Sequence, residues 1–410
     1  MHISPDQRYA ALPRLLAIET ATWFGTYATP VVLAFAVLDR GGGSGRVGIV
    51  LAADTIGMLI STPYGGSIAD RLPRNVVMCA AEVAAASFQG AAVLVLATGA
   101  GALPWLAVLQ GLVGVSRGFF YPAATGLVPA LIREDRARQR ANGLLGTAQA
   151  AARLGAPPLA GVAVAVSGAE AALLVNVGAY SASALLLFGS PRVRGNERPE
   201  PVRHAIRKGW AELRAREWIW LTVAWFSALQ CLAQAPLLVL GPKIAQRSLH
   251  GSAGWGLVLG GLGAGAAAGA ALRAILRPQR PLRPAIAAYA LVALPLLALA
   301  APVSLPLVVA SSVLAGAGAG FFSATWFSIF QRNVPRNAIS RISAWDWEAS
   351  LAGLPLGMLL APPLAHLLGA SLTLTAAAVA SVVVTLFVAR RSSLAAVTAS
   401  IAAPTPALRR

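Results

Sequence analysis

Five charged residues stand inside long apolar stretches of the sequence: Glu19, Asp54, Glu82, Arg117 and Arg153. Charge inside an apolar helix is costly in lipid, so such residues are candidates for proton transfer or ligand binding by default. Glu19 is the strongest candidate for proton exchange, because a movable arginine could switch its protonation state. Arg153 could supply that arginine or hold an anionic substrate. The alternative for each of the five is a buried pair that fixes helix packing.

A second group of residues could line a pocket for a solute. Gln230 and Gln234 are one helical turn apart, and Trp23, Tyr27 and Trp326 stand in other apolar stretches. Aromatic rings and amide groups together suit a bulky, partly apolar solute. The alternative is that the aromatic residues pack between helices or lie at a membrane interface.

The sequence lacks the residue patterns that metal binding and ATP hydrolysis require. The four histidines are scattered, the two cysteines are far apart, and neither type has the spacing of metal ligands. The phosphate-binding pattern GxxxxGK[ST] does not occur, so ATP-driven transport has no support. We therefore expect no metal, no cofactor and no enzyme activity.

The elements that must position these residues are membrane helices. Of 410 residues, 57% are hydrophobic and 12% are charged, whereas soluble domains are about 25% charged. One bilayer crossing takes roughly 20 apolar residues. The sequence predicts an all-α membrane protein whose twelve transmembrane helices lie at 12–38, 47–69, 75–98, 103–128, 141–166, 169–190, 217–240, 254–276, 284–301, 305–330, 343–366 and 369–389.

The basic residues predict how these helices cross the membrane. The net charge of +18 does not indicate nucleic acid, because the charges fall in short clusters between apolar runs. With a cytoplasmic N-terminus, 27 of the 33 lysines and arginines lie on the cytoplasmic side and four on the outer side. This asymmetry predicts that both termini are cytoplasmic. We expect a multi-pass protein of the inner or plasma membrane.

Internal repeats divide the chain into halves. APPLAG at 156–161 matches APPLAH at 361–366, and GFF recurs at 118–120 and 320–322, with nearly the same offset. The only long polar stretch, 191–216, lies between the halves and ends in a segment with helical spacing that predicts an interfacial helix. The predicted domains are 1–190, a six-helix bundle; 191–216, a cytoplasmic linker; and 217–410, a second six-helix bundle with a short tail.

The loop GGSIADRLPRN at 65–75 resembles the signature loop of the major facilitator superfamily, with Gly66, Asp70, Arg71 and Arg74 at the pattern positions. Glycines let neighbouring helices approach closely, and Asp70 could face the positive N-terminal end of the eleventh span. The two arginines could pair with acidic groups across the seam between halves. Such a latch would hold a cytoplasmic gate shut.

The stretch 114–161 resembles one branch of that superfamily, which contains enterobactin-type siderophore exporters and macrolide efflux proteins. The matching features are the SRGFFYPA turn, a VP-acidic loop that ends in AN, and APPLAG. The resemblance implies the two-bundle fold and export of a small molecule. The arginine that the superfamily often carries in span four aligns with Gln110, and Arg117 follows seven residues later, which leaves proton antiport unproven.

We therefore predict a secondary active transporter that exports an organic small molecule, such as a drug, siderophore or secondary metabolite, by alternating access. Protons are the expected coupling ion, the lipid bilayer is the environment, and we expect a monomer. One alternative is an uptake symporter or a lysolipid transporter on the same fold. Another is a membrane sensor or scaffold that transports nothing.

Overall fold

A computed structural model describes residues 5–98, 103–132, 134–190, 193, 202–276, 280–335, 339–391 and 394. Every regular element in these ranges is a helix. The first half begins with α1 (Pro5–Leu38), α2 (Ser44–Arg71), α3 (Arg74–Ala97) and α4 (Leu103–Leu131). A continuous helical stretch then runs over Asp135–Phe188.

Gly168 divides this long stretch into two helices. Its φ of 82° and ψ of 167° are not helical, and glycine is the residue that adopts a positive φ without a steric penalty. Since one crossing takes roughly 20 residues, the stretch crosses the bilayer twice, as α5 (135–167) and α6 (169–188).

A short linker helix, α7 (Val202–Arg214), precedes the second half. Five of the six long helices that follow are α8 (Glu217–Ser248), α9 (Gly251–Leu276), α10 (Leu282–Ala300), α11 (Leu305–Asn333) and α13 (Ala370–Ala389). Between the last two of them lies α12, which consists of the adjoining segments Ile339–Leu351 and Gly353–Leu368.

The described residues contain 11 helices that are long and apolar enough to cross a membrane. Counting α5 and α6 separately gives twelve, so the predicted all-α twelve-helix fold is confirmed. Successive helices alternate in direction. We call the side with the start of α1 and the end of α13 the terminal face, and the other side the opposite face.

The two halves meet along a repeated seam near the opposite face. Gly48 of α2 lies against α12, where an added Cβ would be 2.2 Å from the Met358 carbonyl oxygen. Gly256 of α9 lies against α5, where an added Cβ would be 2.6 Å from the Pro157 carbonyl oxygen. Pro157 and Pro362 belong to the two APPLA repeats. The repeat in each half therefore lies where a glycine of the other half packs closely. Gly256 of α9 contacts the first repeat, and Gly48 of α2 contacts the second.

The seam between α5 and α9 parts toward the terminal face. From Ala156 to Gly161 most α5 residues are buried, whereas from Asn142 to Ala151 most are exposed. The last close backbone contact joins Gly263 of α9 to Arg153 of α5. A central cleft therefore opens toward the terminal face.

Candidate functional site

An aromatic stack lies halfway along α1. Trp23 and Tyr27 are four residues apart, which places them on one helix face, and their ring centroids are 5.8 Å apart. Tyr121 of α4 lies 5.2 Å from Trp23. The structure thus brings together Trp23 and Tyr27, two of the predicted pocket residues, and adds Tyr121, which the sequence analysis did not select.

Arg153 and Tyr27 lie near each other where α1 meets α5. The Gln149 amide donates to the Tyr27 hydroxyl at 3.4 Å, and Gln149 is one turn before Arg153 on α5. The Arg153 guanidinium also interacts electrostatically with Tyr27 and with Tyr289 of α10. Its side chain is exposed. Arg153 therefore faces the cleft between the halves.

Asp54 and Arg117 form an ion pair between α2 and α4. Arg117 Nη1 donates to Asp54 Oδ2 at 2.6 Å, and Nη2 donates to the Tyr121 hydroxyl at 3.4 Å. This is a buried pair of the kind that fixes helix packing, the alternative considered for these charges. Through its hydrogen bond to Tyr121, Arg117 also contacts the aromatic stack. Gln110, two helical turns before Arg117, instead donates to Gln89 of α3 at 3.3 Å.

Two buried carboxylates lie beside this stack: Glu19, one turn before Trp23 on α1, and Glu82 of α3, which contacts α1 at Thr22. Glu82 is 2% exposed and accepts a hydrogen bond of 2.7 Å from Thr22. Its Oε2 has no partner in the described structure and borders a cavity large enough for about one water molecule. Glu19 is 8% exposed, and the Trp23 side chain hydrogen-bonds to it.

A second aromatic group lies in the other half. Trp326 of α11 is buried, and its ring contacts Trp218, Phe322 and Phe330 at 5.6 to 6.3 Å. Its indole N–H donates to Asp346 Oδ2 of α12 at 2.9 Å. Asp346 is not among the site residues predicted from the sequence. Its position between two tryptophans in the run AWDWE is the signal that could have identified it.

Gln230 and Gln234 form the ends of a π-helical turn in α8, where the sequence predicts a regular helical turn. Pro236 follows two residues later and has no N–H to donate to the Leu232 carbonyl, which favours a wider turn. Gln230 is buried and Gln234 is half-buried. No contact in the described structure joins either amide to the Trp23–Tyr27 stack.

The signature loop lies at the terminal face. Arg74 donates to Asp70 at 3.3 Å, so this pair lies within one half. An added Cβ at Gly126 of α4 would lie 1.0 Å from Arg74 Nη1, so the guanidinium covers that glycine. Arg71 is exposed. A Cβ at Gly66 would meet only Pro122, at 3.9 Å, so Gly66 is not in tight helix contact.

Polar contacts among the described residues join the halves near both faces. Thr62 of α2 hydrogen-bonds to Glu348 of α12. At the opposite face the Gln246 amide donates to Asp39 Oδ1 at 3.0 Å. Partial burial raises the pKa of the Asp39 carboxylate above its ordinary value of 3.8, and the hydrogen bond from Gln246 acts in the other direction.

A sequence profile of the Major Facilitator Superfamily matches residues 15–346. A search of curated proteins finds no match. The fold is similar to that of a bacterial homolog of the human lysosomal transporter Spinster in an inward-facing, unoccupied conformation, with a TM-score of 0.74 and 14% identity over 94% of this chain and 96% of that chain.

Two further solved structures are similar. The nucleoside transporter NupG gives a TM-score of 0.75 and 12% identity over 92% of this chain and 98% of that chain. A bacterial homologue of the iron transporter ferroportin, in an inward-facing state, gives a TM-score of 0.70 and 17% identity over 95% of this chain and 100% of that chain. At these identities the similarity establishes the fold.

Proposed function

Because the chain belongs to the Major Facilitator Superfamily, we propose that it is a secondary active transporter that exports an organic small molecule in exchange for protons. The observation that carries proton coupling is the pair Glu19 and Glu82. Neither takes part in the ion pairs among described residues, and each is buried inside the first half. Proton binding at such a carboxylate cancels a charge that no cation among the described residues pairs with.

Trp23 connects the proton site to the solute site in this proposal. It hydrogen-bonds to Glu19 and stacks on Tyr27 and Tyr121. Hydrogen bonds to an ionised acceptor are stronger than those to a neutral one. Protonation of Glu19 therefore loosens its hold on the Trp23 indole, and the aromatic stack is freed to rearrange around a solute.

The proposed orientation places the open cleft on the cytoplasmic side. We place the terminal face in the cytoplasm, since most basic residues lie there. The cleft that opens between Arg153 and the terminal face then receives its solute from the cytoplasm. Residues 1–190 and 217–410 are the two proposed units that rock about the seam, joined by the linker 191–216. The resemblance of 114–161 to exporters supports the same direction.

The test uses inside-out vesicles with an imposed pH gradient and a panel of fluorescent organic solutes. We expect gradient-driven accumulation with the wild type and none with Glu19→Gln, which should still bind solute. The control is Glu217→Gln, which changes an exposed carboxylate at the start of α8 and should transport normally.

Gradient-driven accumulation by Glu19→Gln with unchanged pH dependence would overturn the coupling assignment. Accumulation in right-side-out vesicles alone would identify an importer. If no solute moves in either orientation with wild-type protein, transport itself is contradicted.

A further inference from the structure

Arg153, in the middle of the molecule, has no ion-pair partner among the described residues. The ion pairs among described residues join Arg40 to Glu170, Arg74 to Asp70, and Arg117 to Asp54. None of them includes Arg153. Of the acids in the second half, Asp346 bonds to Trp326 and Ser350, Glu348 bonds to Thr62, and Glu217 is exposed at the start of α8 on the terminal face.

Its surroundings offer hydrogen-bond donors. The Tyr27 oxygen accepts from Gln149, so the Tyr27 proton is free to point at a ligand. Tyr289, which belongs to the other half of the molecule, interacts electrostatically with Arg153. Arginine presents five donors in a planar fork. A guanidinium and two phenol hydroxyls, with no carboxylate paired to the cation, make a site for a negatively charged group.

Aromatic side chains lie near this cluster in both halves. On the first half they are the stacked rings of Trp23, Tyr27 and Tyr121. On the second half Tyr289 lies 5.5 Å from both Phe226 and Phe322. A planar ring system attached to the anionic group would contact these aromatic faces.

We propose that the substrate is an aromatic organic anion, whose carboxylate or similar acidic group is bound by Arg153 and the Tyr27 and Tyr289 hydroxyls. The proposal rests on the proposed function, since it assumes that the cleft is the transport site. Since the two tyrosines belong to different halves, the anion bridges the halves at the point where the seam parts.

The experiment measures binding, without a proton gradient, to the purified full-length protein in lipid nanodiscs. The probes are 2-naphthoate, the neutral 2-naphthalenemethanol and the cationic 2-naphthylmethylammonium. We expect the wild type to prefer naphthoate. Arg153→Gln should weaken naphthoate binding about ten- to a hundredfold, as loss of a hydrogen bond to a charged group does, and leave naphthalenemethanol binding unchanged.

Two further variants keep the proposal testable if Arg153→Gln does not fold. Arg153→Lys retains the charge without the fork, so it should restore part of the affinity, and Tyr27→Phe should weaken naphthoate selectively. The control Arg247→Gln removes an exposed charge at the opposite face and should change nothing. Equal binding of the three probes, or naphthoate binding that ignores Arg153, would overturn the proposal.

The outcomes separate this inference from proton coupling. Arg153-dependent naphthoate binding without solute-driven proton movement would keep the substrate class and reject coupling. Proton-coupled transport of a cationic or neutral solute that is unaffected by Arg153→Gln would keep the function and reject the substrate class.

Discussion

Asp54 and Arg117 form a salt bridge of 2.6 Å between two neighbouring helices. Both side chains are mostly buried, with 14% of each exposed. The pair differs from Glu19 and Arg153, which have no described ion-pair partner. At the scale of residues, the charged side chains inside the helices thus form two groups. Asp54 and Arg117 are a structural pair, whereas Glu19 and Arg153 are candidates for proton exchange and substrate binding.

Asp54→Asn should destabilise the protein, because it leaves the Arg117 charge buried alone. Breaking a buried ion pair by removing one partner costs about 3–5 kcal/mol. Thermal unfolding in detergent would measure this loss, and the double variant Asp54→Asn with Arg117→Gln should recover much of it. Equal melting of the wild type and Asp54→Asn would contradict the structural role.

We expect Asp39 to make the closure of the opposite face weakly dependent on pH. Since partial burial raises its pKa above 3.8, closure of this face favours the protonated form. Closure should therefore be most stable at acidic pH and weaken as pH rises through the raised pKa. The change in the closed-to-open ratio should be less than about fivefold, because the group is partly exposed.

Spin labels at Arg46→Cys and Arg247→Cys, in a background without the native cysteines, would follow the closure of this face by their separation. Both positions are exposed. Asp39→Asn keeps the hydrogen bond from Gln246 but cannot titrate, so it should remove the pH dependence. A pH response that persists in Asp39→Asn would assign the effect to another group.

At the scale of elements, the glycine contacts of the seam determine how closely the halves approach. Gly48→Val should open the opposite face, because its Cβ would lie 2.2 Å from a backbone oxygen of α12 that cannot move away alone. The matched control is Gly45→Val, since a Cβ there meets only Pro362, at 3.9 Å.

The readout is the reaction of Ser252→Cys with a membrane-impermeant maleimide. Ser252 is buried in the same seam, where it donates to Gly161 at 2.9 Å. We expect faster labelling with Gly48→Val than with Gly45→Val. The prediction is wrong if the two label at the same rate.

The helices themselves could be predicted because apolar length is a local property of the sequence. Gly168 interrupts an otherwise continuous helix, yet the sequence placed spans on either side of it. Helix packing is not local. In a helix that is apolar all round, hydropathy does not indicate which side faces a neighbour, so the Thr22–Glu82 bond, across 60 positions, could not be predicted.

The candidate site shows the same division. Charged positions such as Arg153 stand out by type, and the Trp23–Tyr27 pair follows from helical spacing. The pairing of Arg117 with Asp54 could not be predicted, because it depends on the relative rotation of two helices. The π-helical turn at Gln230–Gln234 depends on the backbone before Pro236, which a count of residues per turn does not reveal.

At the scale of the whole molecule, charge should determine orientation. We expect Arg247→Cys to react with an impermeant maleimide on intact cells and Arg391→Cys to react only after the cells are permeabilised. The two positions lie on opposite faces, and the basic clusters favour a cytoplasmic terminal face. The reverse labelling pattern would contradict the orientation and, with it, the export direction.

The tight turns of the opposite face have a practical consequence for imaging. Gly168 and Gly369 each join two crossings with a single residue, at φ of 82° and 86°, so neither turn can carry an inserted tag without disturbing the helices it joins. A 42.0 kDa protein inside a micelle needs a rigid fiducial for particle alignment in electron cryomicroscopy. The junction between α7, which ends at Arg214, and α8, which begins at Glu217, is the better graft point. A helical fusion there would protrude from the terminal face and leave the opposite seam free to move.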